Sequence, residues 1–493
     1  MSTKVIIVAA AILAAAFAPA LLAQDLESRM KAIEEQNRLL MEQNKKLTDS
    51  QNEVIRRLNA TEERNRTLEA QIAERERFED DRLQTMIREV GKMVEGGNVA
   101  PAPDGDGRGY GGIPRYGLTR GGGQLQFYGR VRLDAFFNSA RFNRSIDAQW
   151  VRPEDGINAE DDDDSFTLSA RLTTLGTRWD LGEVAGGRAR AKIEFDFAGF
   201  GKESESVAGV RLLVAYFDID YGDLSFRFGQ DWDVISPYDP LVDDFRHLWD
   251  TGNLGDRRPL LQVAYQHGGR TGFGFEARLA VGATGTVLEG GSNDEDDGFG
   301  AFLSTEVDGF DSGLPHVQGS LSASIDSWVA GERLTIGVSG LYGRLETDFD
   351  FAGENQFTVW MVGVDFFIPL LDGVHLKGEG FWGSALGDFR GNIGQSINQT
   401  TGEEIEGIGG WAELYWQVTD AFGIGVGASI DNPDLADLDV AQRASNWVAY
   451  VATRLDLGDG FRMGLDGMFW KTEYVDREGG DAFRFNYFIE MSF

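Results

Sequence analysis

Cysteine is absent from the 493-residue chain. That excludes a disulfide framework, a thiol nucleophile and a thiolate metal site. Histidine is almost as scarce, with only His247, His267, His316 and His375. There is no H-E-x-x-H, no G-x-S-x-G and no P-loop, so neither a zinc site, a serine nucleophile nor a phosphate cradle is in view. The residues point away from an enzyme and call for no cofactor or metal. Long apolar runs are missing too. Beyond the N-terminus nothing approaches the ~20 continuous apolar residues of a transmembrane helix, so a membrane-embedded chain would have to cross as strands. Positive charge is in deficit. The 46 Lys and Arg stand against 80 Asp and Glu, a net charge of -34, which argues against nucleic acid as a partner.

What is present falls into four regions. Residues 1–23 carry Lys4, an uncharged apolar stretch from Val5 to Phe17 and then small residues, and read as a secretory signal peptide cleaved after Ala20 or Ala23. Residues 24–95 contain almost no Gly or Pro and repeat every seven. One column runs Leu26, Ile33, Leu40, Leu47, Val54, Thr61, Leu68; the other runs Met30, Asn37, Asn44, Gln51, Leu58, Asn65, Ile72. This is the pattern of a coiled coil. The polar layers Asn37, Asn44, Gln51 and Asn65 would fix register and strand number, because each must find a partner in a neighbouring helix. A parallel homotrimer is expected. Residues 96–123, rich in Gly and Pro, read as a flexible linker.

From residue 124 the period changes to two. In "RARAKIEFDFAG", Ala189, Ala191, Ile193, Phe195 and Phe197 face one way, and Arg188, Arg190, Lys192, Glu194 and Asp196 the other. Sixteen such strands can be marked, beginning near residues 125, 166, 188, 210, 223, 259, 272, 316, 333, 357, 373, 408, 421, 445, 461 and 482. The second slips phase between Leu172 and Leu175, which predicts a bulge. Links from even to odd strands are short, while most from odd to even strands are long. An even strand number with loops sorted in this way predicts an all-β, antiparallel transmembrane barrel over 124–493, preceded by the helical coil. Its exterior would face outer-membrane lipid, and the coil would lie in the periplasm. The closing strand would be "FRFNYFIEMSF", with Phe483, Phe485, Tyr487, Ile489, Met491 and Phe493 outward.

A barrel of this size leaves an aqueous channel. By parity, the lumen presents Arg130, Arg132, Arg171, Arg188, Arg190, Lys192, Arg227 and Arg484, interleaved with Asp134, Glu194, Asp196 and Glu490, which read either as a basic wall or as lumenal ion pairs that neutralise one another. The third long loop, "GQDWDVISPYDPLVDDFRHLWD", carries Asp231, Asp233, Asp239, Asp243 and Asp244 among apolar residues, and is expected either to fold inward and form an acidic rim opposite that wall or to cover the trimer centre or the mouth. Acidic runs at 159–165 and 293–297 read as solvated loop charge, with a divalent-cation site on hard oxygen ligands as the less favoured alternative. The alternation Phe422, Ile424, Val426, Ala428 against Gly423, Gly425 and Gly427, with Ser429 next, reads as a strand whose bare inner face keeps the lumen open.

With "QFYGRVRLDAFFNS", "FRFGQDWDVISPYDP", "RRPLLQVAYQH", "LKGEGFWGSALGDFRGNIGQSIN" and "FNYFIEMSF" on the page, the chain resembles the DcaP-like trimeric porins of Gram-negative outer membranes, and most of all the planctomycete-type porin-like proteins. The resemblance implies a homotrimer through which small hydrophilic solutes diffuse, with small anions favoured. Its constriction would be built by the third loop and the basic residues. A structural role is the alternative, in which the coil tethers the outer membrane to peptidoglycan.

Overall fold

The computed structural model of the chain describes residues 38, 45, 116–118, 123–144, 146–154, 163–199, 209–243, 247–268, 271–285, 287 and 311–493. The signal peptide, the coiled coil with Asn37, Asn44, Gln51 and Asn65, and the linker as far as residue 115 lie outside these residues. So do Asp244, the acidic run 293–297 and all but the end of the run 159–165.

The described residues from Gly123 onward build one antiparallel sheet of sixteen strands closed on itself. The first five are β1 (Gly123–Asn138), β2 in two segments (Ser165–Ser169 and Thr174–Val184), β3 (Gly187–Gly199), β4 (Gly209–Tyr221) and β5 (Leu224–Trp232). Then come β6 (Arg257–His267), β7 (Gly274–Gly282), β8 (His316–Asp326), β9 (Arg333–Phe351), β10 (Glu354–Leu371) and β11 (Val374–Ser384). The circuit ends with β12 (Glu406–Gln417), β13 (Phe422–Pro433), β14 (Arg443–Asp456), β15 (Phe461–Tyr474) and β16 (Arg477–Ser492). Each strand pairs with the next, and β16 returns to β1 from Arg484↔Asn138 to Ser492↔Arg130. Phe493 completes the seam. Its N–H donates to the Gly129 carbonyl at 2.9 Å, and the Gly129 N–H donates back at 3.2 Å.

The observed starts fall within three residues of the expected ones, except for β16, which begins five earlier at Arg477. The bulge in β2 is present. Arg130 to Asp134 on β1 is matched by Thr174 and Ser169 on β2, so a step of four residues opposes a step of five. The stretch read as a structureless linker also differs at its end, because Tyr116–Leu118 forms a short strand against Gly123–Leu125 of β1.

The two faces separate by chemistry as the alternation requires. Val131, Leu133, Phe166, Leu168, Ile336, Val338, Val362, Val364, Phe483 and Phe485 are exposed on the outside. Exposed Tyr221, Tyr265, Trp328 and Trp416 stand beside the short turns, and Phe166 and Trp382 near the opposite strand ends. Inside, the polar row of β1 (Arg132, Asp134, Asn138) and that of β16 (Arg484, Asn486, Glu490) are buried.

Candidate functional site

The interior is organised by the loop between β5 and β6, residues 233–256. Coil backbone taken out of water must find hydrogen-bond partners, and here the wall supplies them. Carboxylates on three strands accept from the loop: Glu379 from the Tyr238 N–H at 2.7 Å, Glu413 from the Leu241 N–H at 2.7 Å, and Asp466 from the Asp243 N–H at 3.0 Å. Donors on the wall reach the loop's carbonyls: Lys377 to Asp239 at 2.6 Å, Ser339 to Ile235 at 2.8 Å, Asn486 to Asp243 at 2.9 Å, and Arg454 to Leu241. Apolar side chains finish the attachment. Ile235 and Leu254 pack with Leu341, Phe357, Met361 and Phe389; Val242 and Leu248 pack with Val448, Tyr450 and Trp470. The loop therefore lies inside the barrel, against β9 to β16.

The tip of the loop is clasped by β1. Arg132 donates to Asp134 at 2.7 Å, to the Asp243 carboxylate at 2.8 Å and to the Asp243 carbonyl at 2.6 Å, with Glu490 at 3.6 Å. Its guanidinium lies 4.0 Å from the centre of the Phe488 ring, which Arg454 and Arg462 also face. Burial alone would raise the pKa of Asp243, but Arg132, His247, Arg130 and Arg454 outweigh it and hold the carboxyl well below the usual range. At the root of the loop, Asp233 is buried against Arg258 at 2.8 Å, and Arg258 also reaches Asp388 at 2.7 Å. Asp256 takes Arg390 of the 385–405 connection at 2.5 Å. Burial opposes its ionisation, yet Arg390, Arg257 and Arg258 bring its pKa down to about 2.

The expected basic wall is in part what the geometry builds and in part something else. Arg130, Arg188, Arg190, Lys192 and Arg227 face inward as expected, but each is paired. Arg130 meets Glu490 at 3.4 Å, Arg188 meets Asp180 at 2.6 Å, and Arg190 meets Asp220 at 2.5 Å. Lys192 meets Glu194 at 3.1 Å, and Arg227 meets Asp218 at 2.7 Å and also Asp231. Arg132 and Arg484 are fully buried rather than in contact with a water-filled bore. Arg132 clasps the loop, while Arg484 donates to Asn138 at 2.7 Å and to the Ile146 carbonyl at 2.8 Å. Arg171 sits half-buried in the β2 bulge.

The acidic rim needs correction as well. Asp231 belongs to β5 and pairs with Arg227 of the same strand. Asp233 and Asp243 are held by Arg258 and Arg132. Of the four described acids, Asp239 is the exposed one. The glycine face of β13 is not bare either. A Cβ at Gly425 would fall 2.9 Å from Leu241 of the loop, and at Gly427 2.4 Å from the Tyr450 ring. Those positions seat neighbours instead of holding water.

Sequence reasoning missed Arg178. The β2 bulge shifts its phase, so it faces inward directly opposite Lys192. Along the wall that the loop leaves free lie two cavities. One of about 540 Å³ is lined by Gln126, Arg178, Arg188, Arg190, Lys192 and Tyr216 among others. The other, of about 330 Å³, has Arg227, Asp231, Ser236, Asp239, Glu276 and Arg278 in its lining.

No family model matches the chain, and no curated protein matches it either. Solved structures do. The outer-membrane channel DcaP of Acinetobacter baumannii is 18% identical over 75% of this chain and 97% of its own, with a TM-score of 0.58. An anion-selective porin from Comamonas acidovorans is 12% identical over 75% of this chain and 100% of its own, with a TM-score of 0.50. The closed sixteen-strand antiparallel barrel is thus a fold shared with proteins of this kind, and the chain has the fold of the outer-membrane porins.

Proposed function

We propose that the chain is an outer-membrane porin through which small hydrophilic solutes diffuse passively. The observation that carries this is the inward loop. It packs on β9 to β16 and leaves cavities along the charged wall of β1 to β7, while the outside is apolar and carries aromatics near both strand ends. Aromatic girdles around an apolar band are what a lipid-facing barrel requires, and a wet polar interior is what a diffusion channel requires.

The finer parts of the reading are a homotrimer joined through the heptads of 24–95, a periplasmic position for that coil, and a lean towards anions. The Comamonas porin is described as anion-selective, and the wall of β2 to β5 here carries Arg178, Arg188, Arg190, Lys192 and Arg227. The heptad repeat also supports a second role, tethering the membrane to peptidoglycan, which can coexist with a channel. Conductance of the purified full-length protein in a planar bilayer tests the proposal. Steps grouped in threes are expected. A folded protein that gives no conductance would sink the channel and leave the tether.

A further inference from the structure

The cross-strand rows of the inner wall are nearly self-neutral from β2 to β5. Asp180, Arg190, Asp218 and Arg227 stand directly opposite one another in turn, and the row beside them runs Glu183, Arg188, Asp220. Directly opposed residues are about 5 Å apart at Cβ, so such charges cancel over short distances. To a passing ion these rows offer local dipoles and little net potential. The next row, one step further up the strands, differs. It holds Gln126, Arg178, Lys192 and Tyr216, two cations and no carboxylate. Lys192 finds Glu194 in the row above. Among the described residues Arg178 makes no ion pair.

Arg178 is nevertheless held in place. Its guanidinium carbon lies 4.3 Å from the centre of the Tyr128 ring. That ring is fixed by a 2.6 Å bond from its hydroxyl to Glu194, and it lies against Gly176, where a Cβ would come within 2.5 Å of it. Part of the guanidinium also faces the Tyr128 hydroxyl, and its remaining in-plane N–H groups are left for an oxyanion. Here the side chain is exposed beside the 540 Å³ cavity.

We propose that Arg178 is the oxyanion-binding and charge-selecting side chain of this wall. It takes the carboxylate or phosphate group of a solute in its N–H fork, with the Gln126 amide and Lys192 as flanking donors. The inference rests on the channel reading above and names the residue by which that channel sorts charge. Ion pairs elsewhere on the wall shape the bore without setting its sign.

The test uses the full-length protein in planar bilayers under a KCl gradient, with inorganic phosphate as the probe of binding. In Arg178→Gln the chloride-to-potassium permeability ratio should fall about threefold, the effect of one unit charge several Å away in water. The partial block of chloride current by added phosphate should also be lost. Removing a wall pair as a unit, Arg190→Gln with Asp220→Asn, should move the ratio far less. Channels that conduct, yet keep both ratio and phosphate block in Arg178→Gln, would overturn the assignment. So would a pair deletion that shifts the ratio as much as Arg178→Gln does. A wild-type protein without conductance would instead overturn the channel reading on which the assignment depends.

Discussion

Arg132 satisfies more of the interior than any other side chain described above. It binds Asp134 and Asp243, and it faces the ring of Phe488. In Arg132→Ala, Asp134 and Glu490 would be left buried without this partner, and breaking a buried pair in this way costs about 3–5 kcal/mol. A clear drop in the temperature at which the folded band shifts on a gel is expected, and single-channel current should become noisier as the loop tip is released. Gly425 tests the same contact from the loop's side. Replacing it with Val adds bulk where Leu241 already lies 2.9 Å from the Cβ position. The expected result is faster hydrogen exchange of the loop amides near Leu241, with the strands protected as before. Residue-level roles of this kind were the least legible in the sequence. Period-two alternation told which side chains of β1 and β3 face inward, but pairing depends on register between strands. Arg190 meets Asp220 and not Glu194, and no pattern along one strand can reveal that.

At the scale of the element, the described residues of the loop 233–256 form no strand or helix and borrow hydrogen bonds from the wall. Its apolar content, with Val234, Ile235, Val242, Leu248 and Trp249 buried, was visible in the sequence and gave a reason for it to pack, but left inward folding and a cover over the mouth as equal readings. Its acids were misread as a rim because a run of Asp does not disclose which cations will take them up. The Asp256–Arg390 pair joins this loop to the 385–405 connection, and its pH dependence has a definite sign. The folded pKa, about 2, lies below the ordinary carboxylate value of about 3.9. The pair's contribution is therefore complete above pH 4 and is lost as the pH falls through 2. Hydrogen exchange around Gly255 and Arg390 should stay flat from pH 7 to about 4, after correction for intrinsic rates, and accelerate progressively from about pH 4 down to 2. The slipped phase of β2 belongs to this scale too. The sequence signalled a bulge, but its consequence, turning Arg178 inward, follows only once the extra residue has been placed.

For the molecule as a whole, strand number and closure were legible because they rest on the most redundant signal available: sixteen alternating segments and a sorting of loop lengths. Closure depends on a narrow seam. Gly129 exchanges backbone bonds with Phe493, and a Cβ there would meet the Thr174 carbonyl at 2.6 Å and the Phe493 ring at 2.8 Å. Gly129→Val is expected to lower the yield of folded barrel recovered from detergent while leaving the folded fraction's conductance unchanged. Measuring both quantities on one preparation separates assembly from permeation.

The loop's position also divides the circumference into two unequal kinds of territory. Among the described residues, strands β9 to β16 hold the loop, and the two cavities lie along the arc from β1 to β7. The bore is a crescent, and its clearance is set by how far the loop stands off that arc. Moving the bracket strands β9 to β16 outward would carry the loop with them and widen that clearance, as would trimming one side chain on the arc.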